Sequence, residues 1–493
     1  MFKVEIMKKF QFADLHCHPT LKTYGYSHAR SMRKKLTRSD VWFRKPPTFL
    51  LKCLQKVLGI TRFSQADFTT LASANVKVAF VSFYPFEKGF FLTPRINNKV
   101  SARLANYVTS IGYDRVRHLQ MHTNYFEDFI NEYNFFCRSA KHSYVNGVPF
   151  KWNFIDEQES ESNLLSENCI TVIPTIEGTH IVNSGLTEYG VPLDEERILR
   201  NVQKLKRLKH PPFFITFAHN FNNDLCGHAP SLEPLKGIVD QSKNLNAGFT
   251  PLGIRVLHSL LNDGNGRRIF IDIKHMSLKS RYKYYRILEK EYDNSIPIIV
   301  SHGAVTGRSL SGKNMSSVNS GFYANDSINF YDEEIVNIAK SNGLFAIQLD
   351  AKRLAPKKII KKSVFRNNKK EAMRSSSLIV WRQLQHIAEI LDAQGLSAWE
   401  VCCIGSDFDG TIDPLEGVWT ANDLNNLANA LLLHAADYLL QPNALKLECN
   451  ASITPEVLVE NFVWKNTINF LKKNYPIKTG RKLKVRTIVR DYV

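Results

Sequence analysis

The chain has 493 residues, 44% of them hydrophobic and 23% charged, with a formal net charge of +19. That apolar content supports a large core and excludes global disorder. The length fits two or three average domains, or one barrel with insertions. No apolar run approaches about 18 residues, which excludes a spanning helix. Met1 to Phe10 carries lysines but no apolar h-region, so a cytoplasmic protein is expected rather than a secreted one.

Eight candidate strands follow one another along the chain, judged by β-branched and aromatic density over short apolar runs. They span roughly 11–16, 76–83, 169–176, 213–219, 268–274, 297–301, 343–349 and 401–406. Several are apolar almost without interruption, as parallel strands buried on both faces are. Between them, helical patterns occupy 193–209, 251–263, 332–341 and 375–392, and 455–473 reads as a closing helix. Asp332, Glu333 and Glu334 open one of these, where a helix N-terminus favours acids. Alternating strands and helices predict a parallel α/β fold. Eight strands favour a closed (β/α)₈ barrel, and no G-x-G-x-x-G follows a strand to suggest a dinucleotide fold.

Three connections are long. Residues 19–75 mix basic and aromatic side chains with an apolar, helix-like part from Phe49 to Leu58, and form a candidate lid. Residues 84–168 read as largely helical, and 351–400 carries a Lys/Arg run. With no repeat and no clean linker, 1–493 reads as one elaborated domain. Basic residues concentrate in 28–52, 352–374 and 465–490. They imply either a general attraction to anionic partners or surfaces, or merely solvated faces. No nucleic-acid module accompanies them, so no nucleic acid is expected as a partner. The eight cysteines lack a CxxC pair and are expected to be mostly buried thiols.

The chemistry sits at strand ends. His16-Cys17-His18 closes the first strand, and residues i and i+2 of a strand point to one side, so both imidazoles can reach one ion. Glu177 ends the third strand, where a carboxylate can bridge two cations; Gly178 after it permits a tight turn. His180, two residues further on, is a supporting group or a helix start. His219 ends the fourth strand and can donate to a substrate carbonyl. His275 and His302 end the fifth and sixth, and can hold a second ion. Asp407 ends the eighth, placed to take a proton from an attacking water and pass it to a leaving nitrogen; Asp409 is the second choice. Ligands at successive strand ends are how a (β/α)₈ barrel builds an active site.

These motifs, taken in order, resemble the membrane dipeptidase (renal dipeptidase) family of zinc peptidases within the amidohydrolase superfamily. The matching stretches are Ile176 to His180, Ala218-His219-Asn220, Gly248 to Gly253, Ile271 to Ser277, Ile299 to His302, and Gly405 to Gly410. The resemblance implies a (β/α)₈ barrel holding two divalent metal ions, zinc by family precedent. His16 and His18 would hold one ion, His275 and His302 the other, and Glu177 would bridge them. Asp407 would be the acid/base and His219 a substrate contact in hydrolysis of a dipeptide or similar small amide. Two positions depart from the family. It has His-x-Asp where this chain has His16-Cys17-His18, which removes a negative charge from the metal cage. Spacing after His302 puts Lys313 where the family holds the substrate carboxylate with an arginine, and Arg308 in the same loop can substitute. The alternatives are an amidohydrolase acting on another small, anionic substrate (a cyclic amide, lactone or phosphoester) and an inactive binding protein. The oligomeric state stays open, a homodimer included.

Overall fold

Short runs of Val, Ile and Phe build ten strands: β1 (Phe12–Cys17), β2 (Val76–Phe83), β3 (His142–Val145), β4 (Val148–Phe154), β5 (Cys169–Glu177), β6 (Phe214–Thr216), β7 (Phe270–Asp272), β8 (Ile299–Gly303), β9 (Leu344–Ile347) and β10 (Cys402–Ile404). The computed structural model describes residues 7–92, 97–157, 166–232, 238–312, 316–364, 369–442 and 444–475, the side chains of 361–364 excepted. Eight of the strands are parallel neighbours in the order β2-β1-β10-β9-β8-β7-β6-β5, and pairing of β2 with β5 closes the ring. This is the expected (β/α)₈ barrel. Every residue of β1, β2 and β5 is buried, which is why these strands lack the alternation of a half-exposed sheet. Each fully buried Val, Ile, Leu or Phe contributes about 1.5–3 kcal/mol relative to exposure.

The helices between strands carry their own start signals. In Glu195–Lys206, the Asp194 side chain accepts from the Arg197 N–H; glutamates occupy the first turn and lysines the last. In Pro251–Leu261, Thr250 caps the Gly253 N–H and proline takes the first position. The structure departs from the sequence reading in three places. The connection 84–168 is not helical throughout: after three helices it ends in the β3–β4 hairpin, turned by Asn146 (φ 52°) and Gly147 (φ 80°). That hairpin extends the sheet along the N-terminal half of β5. Two further helices, Leu278–Tyr292 and Leu424–Leu439, add to those read from the pattern. The closing helix is interrupted by a π turn over Asn461–Lys465. Long connections follow β1, β2 and β9 as expected, and another, largely irregular, follows β6. No disulfide forms among the described residues, and five of the eight cysteines are buried. Among the described residues, no helix is long and apolar enough to cross a membrane.

One ion pair inside the helical layer explains a missed helix. Arg281, on Leu278–Tyr292, is fully buried, and its Nε and Nη2 donate to Glu334 at 2.7 and 3.1 Å. Glu334 is equally buried and also accepts from the Tyr285 hydroxyl at 2.8 Å. Removing one partner strands a buried charge. Arg281→Ala is therefore expected to lower stability by about 3–5 kcal/mol, and the double exchange Arg281→Met, Glu334→Met by much less. Urea unfolding of the three proteins measures both values.

Candidate metal centre

Glu177 ends β5 at the C-terminal mouth of the barrel and gathers five imidazoles. His16 Nε2 lies 3.4 Å and His219 Nε2 3.5 Å from its Oε1; His302 and His275 Nε2 lie 3.5 and 3.8 Å from the same atom. His18 Nε2 is 3.2 Å from Oε2. The His16 and His18 Nε2 atoms are 3.0 Å apart, so the i, i+2 spacing does bring both rings to one side. The His275 and His302 Nε2 atoms are 3.3 Å apart. Asp407 Oδ1 stands 3.6 Å from His18 Nε2 and 3.9 Å from His16 Nε2. Gly178 (φ 93°) lets the chain turn away after Glu177; a Cβ there would fall 2.3 Å from His180 Nδ1.

Hydrogen bonds behind the rings fix which nitrogen faces inward. The Ser301 hydroxyl gives its one proton to Asp272 (2.6 Å), so at 2.8 Å from His302 Nδ1 it accepts that nitrogen's proton. His18 Nδ1 donates to the Ser82 carbonyl at 3.0 Å, and His219 Nδ1 to Glu87 at 2.9 Å. On neutral His18 and His302, Nε2 therefore carries the lone pair toward Glu177. Two buried aspartates organise the strand ends in the same way. Asp14 accepts from the backbone N–H and hydroxyl of Ser406, the residue before Asp407. Asp272 accepts from the backbone N–H and hydroxyl of Ser301, the residue before His302. Asp272 also accepts from the N–H of Lys274, the residue before His275. His275 (φ 66°) and Asp407 (φ 58°) adopt the left-handed backbone region, which costs a non-glycine residue energy and recurs at functional sites.

The charges fit a cation-binding cage. Burial alone would raise the Glu177 pKa, but His219, His18 and His16 overcome it and hold it well below the usual carboxylate range. Burial, then the Glu177 charge, pushes Asp407 up to about 8. Burial opposes charge on His18, yet Glu177 and Asp407 raise it to about 9. Burial, then the neighbouring rings, keeps His275 and His302 well below the ordinary imidazole value, hence neutral. A tetrahedral ion with nitrogen ligands at about 2.0–2.1 Å needs those ligands about 3.3 Å apart, close to the separations present. Three groups of donors lie within 4.8 Å of one another: His16, His18 and Glu177; His16, His302 and Asp407; Glu177, His219 and His275. The Nδ1 atoms of His16 and His275 are buried and make no hydrogen bond. The residues present fit divalent ions.

Of the residues singled out from sequence, His16, His18, Glu177, His219, His275, His302 and Asp407 converge. His219 sits within the cluster, where a substrate contact was expected at its edge. Asp409 belongs elsewhere: its carboxylate accepts from Lys22 Nζ (2.7 Å) and from the backbone of Gln65 (2.9 Å) and Ala66 (2.8 Å). Arg308 is exposed, and Lys313 lies outside the described residues. His180 is buried at the start of a 3₁₀ turn, Nε2 against the Pro85 carbonyl. Sequence reasoning passed over Glu87, which binds His219, and Lys274, a buried lysine before His275 whose Nζ has no partner. Burial lowers Lys274 to about 7. Its signal was visible, a lysine at the end of the apolar run Ile269–Ile273; Glu87 had none.

Fold and cluster together define the class: a (β/α)₈ barrel with a histidine–carboxylate centre at its C-terminal mouth. No protein-family model and no curated protein sequence matches the chain. Solved structures do. Dipeptidase AC, a metallopeptidase of family M19, aligns at 14% identity and TM-score 0.51, covering 95% of this chain and 99% of its own. A metallopeptidase from Rhodobacter sphaeroides, solved with a phosphinate mimic of the dipeptide L-Ala-D-Ala, aligns at 13% identity and TM-score 0.50, covering 95% and 100%. At these identities the likeness is one of fold.

Two measurements test the centre. Asp272→Ala should weaken metal affinity about 10- to 100-fold while leaving every ligand in place, read by competition with a chelating dye. At pH 7, Asp407 and His18 of metal-free protein hold protons that a cation displaces. Calorimetry in buffers of differing ionisation enthalpy should therefore detect proton release on metal uptake, reduced by about one in Asp407→Asn.

Proposed function

We propose that this chain is a metal-dependent hydrolase of dipeptidase type, similar to the membrane dipeptidase family, that cleaves a dipeptide or similar small amide. One observation carries the reading: two histidine pairs from different barrel strands share Glu177 at the mouth of a barrel with the fold of solved metallopeptidases. His16 and His18 would hold one divalent ion, His275 and His302 a second, and Glu177 would bridge them; zinc suits imidazole-rich sites. When bound, the ions supply Lewis acidity and a nucleophile at neutral pH. Asp407 Oδ1 takes the proton of the attacking water and returns it to the leaving nitrogen, the two halves of a positioned acid/base's task. Burial opposes charge on His219, but Glu87 and Glu177 raise its pKa, so Nε2–H can donate to the carbonyl oxygen that gains charge on attack. Lys313 and Arg308 are carried as partners for a substrate carboxylate.

The 19–75 insertion is read as a lid on a single barrel domain. Lys22, Gln65 and Ala66 bind Asp409, two residues from Asp407, and so tie that insertion to the strand end bearing the proton carrier. A cytoplasmic setting fits the thiol-rich core. A second reading is favoured by cations beside the cluster. Lys274 is buried, and Arg353 acts on Lys274 and His275 electrostatically. Both suit a small anionic substrate, such as a cyclic amide, lactone or phosphoester.

Asp407→Asn is expected to lower kcat by about 100-fold or more, the usual weight of a positioned acid/base, with metal content unchanged by atomic absorption. Loss of metal instead would make Asp407 a ligand. A panel of dipeptides with L and D residues at the second position separates the two readings. Turnover of any member supports the first, and inertness of metal-loaded protein supports the second.

A further inference from the structure

The helix Phe49–Leu58, in the 19–75 insertion, is amphipathic the wrong way round for a soluble surface. Its polar side faces the protein. Gln55 is buried and donates to Asp413; Lys56 pairs with Glu416 at 2.6 Å, and Lys52 and Lys56 lie over the Trp419 ring. Its apolar side faces out: Phe49 is 84% exposed, Leu50 76%, Val57 80% and Leu58 52%. At about 100° per residue Leu50 and Val57 lie opposite Lys52, Gln55 and Lys56, while Phe49 and Leu58 border them at the two ends of the helix. Both ends are finished, with Thr48 capping the Leu51 N–H and Gly59 in the left-handed conformation closing the C-terminus. The helix is therefore built to present this face, since a helix normally buries its apolar stripe. Met32 and Leu36, on the preceding helix Met32–Arg38, are also exposed, a concentration that ordinary scatter of surface apolar residues does not explain.

The geometry points to an anionic lipid surface as the occupant of this face. Two arguments select it. The first is charge. Residues 28–58 carry nine lysines and arginines against one acid, Asp40; Lys52 and Lys56 face the barrel, which leaves seven, all N-terminal to the helix. Lys352 Nζ lies 3.1 Å from where a Cβ on Gly59 would sit, and Lys357 and Lys358 follow, both exposed. The acids that contact the helix, Asp413 and Glu416, lie under it on the barrel side. Apolar residues flanked by cations match a headgroup layer of negative charge over acyl chains. The second is area. A ten-residue helix is about 15 Å long and about 10 Å wide, a footprint well short of the roughly 800 Å² per partner that a stable protein interface buries. Shallow insertion into a bilayer needs no larger footprint, because neighbouring basic residues add to the binding. The inference is independent of the metal centre.

Vesicle flotation of the full-length protein tests it, with phosphatidylcholine vesicles and with the same vesicles containing phosphatidylserine. Wild-type protein should float with the mixed vesicles and stay behind with phosphatidylcholine alone. Phe49→Asp, Val57→Asp should lose about tenfold or more of that binding, with an unchanged melting midpoint showing that the fold is intact. Failure of the wild type to bind mixed vesicles, or equal binding by the folded variant, overturns the proposal. A concentration-dependent dimer in sedimentation velocity, abolished by the same substitutions without any vesicle binding, also overturns it and assigns the face to a second copy of the chain.

Discussion

Two carboxylates outside the cluster hold it together. Asp14 on β1 grips Ser406 beyond β10, and Asp272 on β7 grips Ser301 on β8, each through a backbone N–H and a hydroxyl. The parallel ladders here are short: β1 meets β10 at one residue pair, and β7 meets β8 at one. Side-chain bonds continue the pairing where the backbone ladder stops. They fix the rotation of the next residue in each chain, Asp407 in one case and His302 in the other. They also explain how Asp407 can be kept in the left-handed region, as the Asp272 bond to the Lys274 N–H does for His275, since strain persists only where surroundings over-determine it. The imidazoles reach their positions because the strand ends are locked one step earlier.

Much of the barrel was legible because its signal is redundant. Eight apolar runs of β-branched residues, six of them ending in a histidine or carboxylate, state a parallel barrel and its working end together. What was not legible has specific causes. Leu278–Tyr292 hides its helical period because Arg281 occupies an inward position, buried by its pairing with Glu334. Leu424–Leu439 is apolar on much of its surface and shows little contrast between faces. The β3–β4 hairpin carries an Asn146-Gly147 turn signal, which a helical reading of 84–168 overlooks. Within the site, the strand-end histidines and carboxylates that converge were readable from position alone. Glu87 was not, because a carboxylate that reaches a histidine 132 residues away leaves no local pattern.

His18 bears on the electrostatics of the cage as much as on its geometry: burial opposes its charge, and Glu177 and Asp407 favour it. His18 still points its Nε2 at Glu177, at 3.2 Å. Glu177 and Asp407 face the rings and Glu87 binds His219 from behind, with Lys274 buried close by. The cations that sequence reading placed in surface loops thus have a buried counterpart next to the cluster.

The strands differ greatly in length. β2 and β5 run for eight and nine residues and pair with each other over six, whereas β6, β7 and β10 are three residues long. One arc of the barrel is thus a continuous hydrogen-bonded wall and the other a set of short staves. Local opening starts where backbone pairing is sparse. His16 and Glu177 are on the wall side; His275, His302 and Asp407 are carried by the staves. An ion held between them would act as a clasp between the parts of the ring that exchange amide protons slowly and those that exchange fast. The barrel's cooperativity would then be set in part by what it binds.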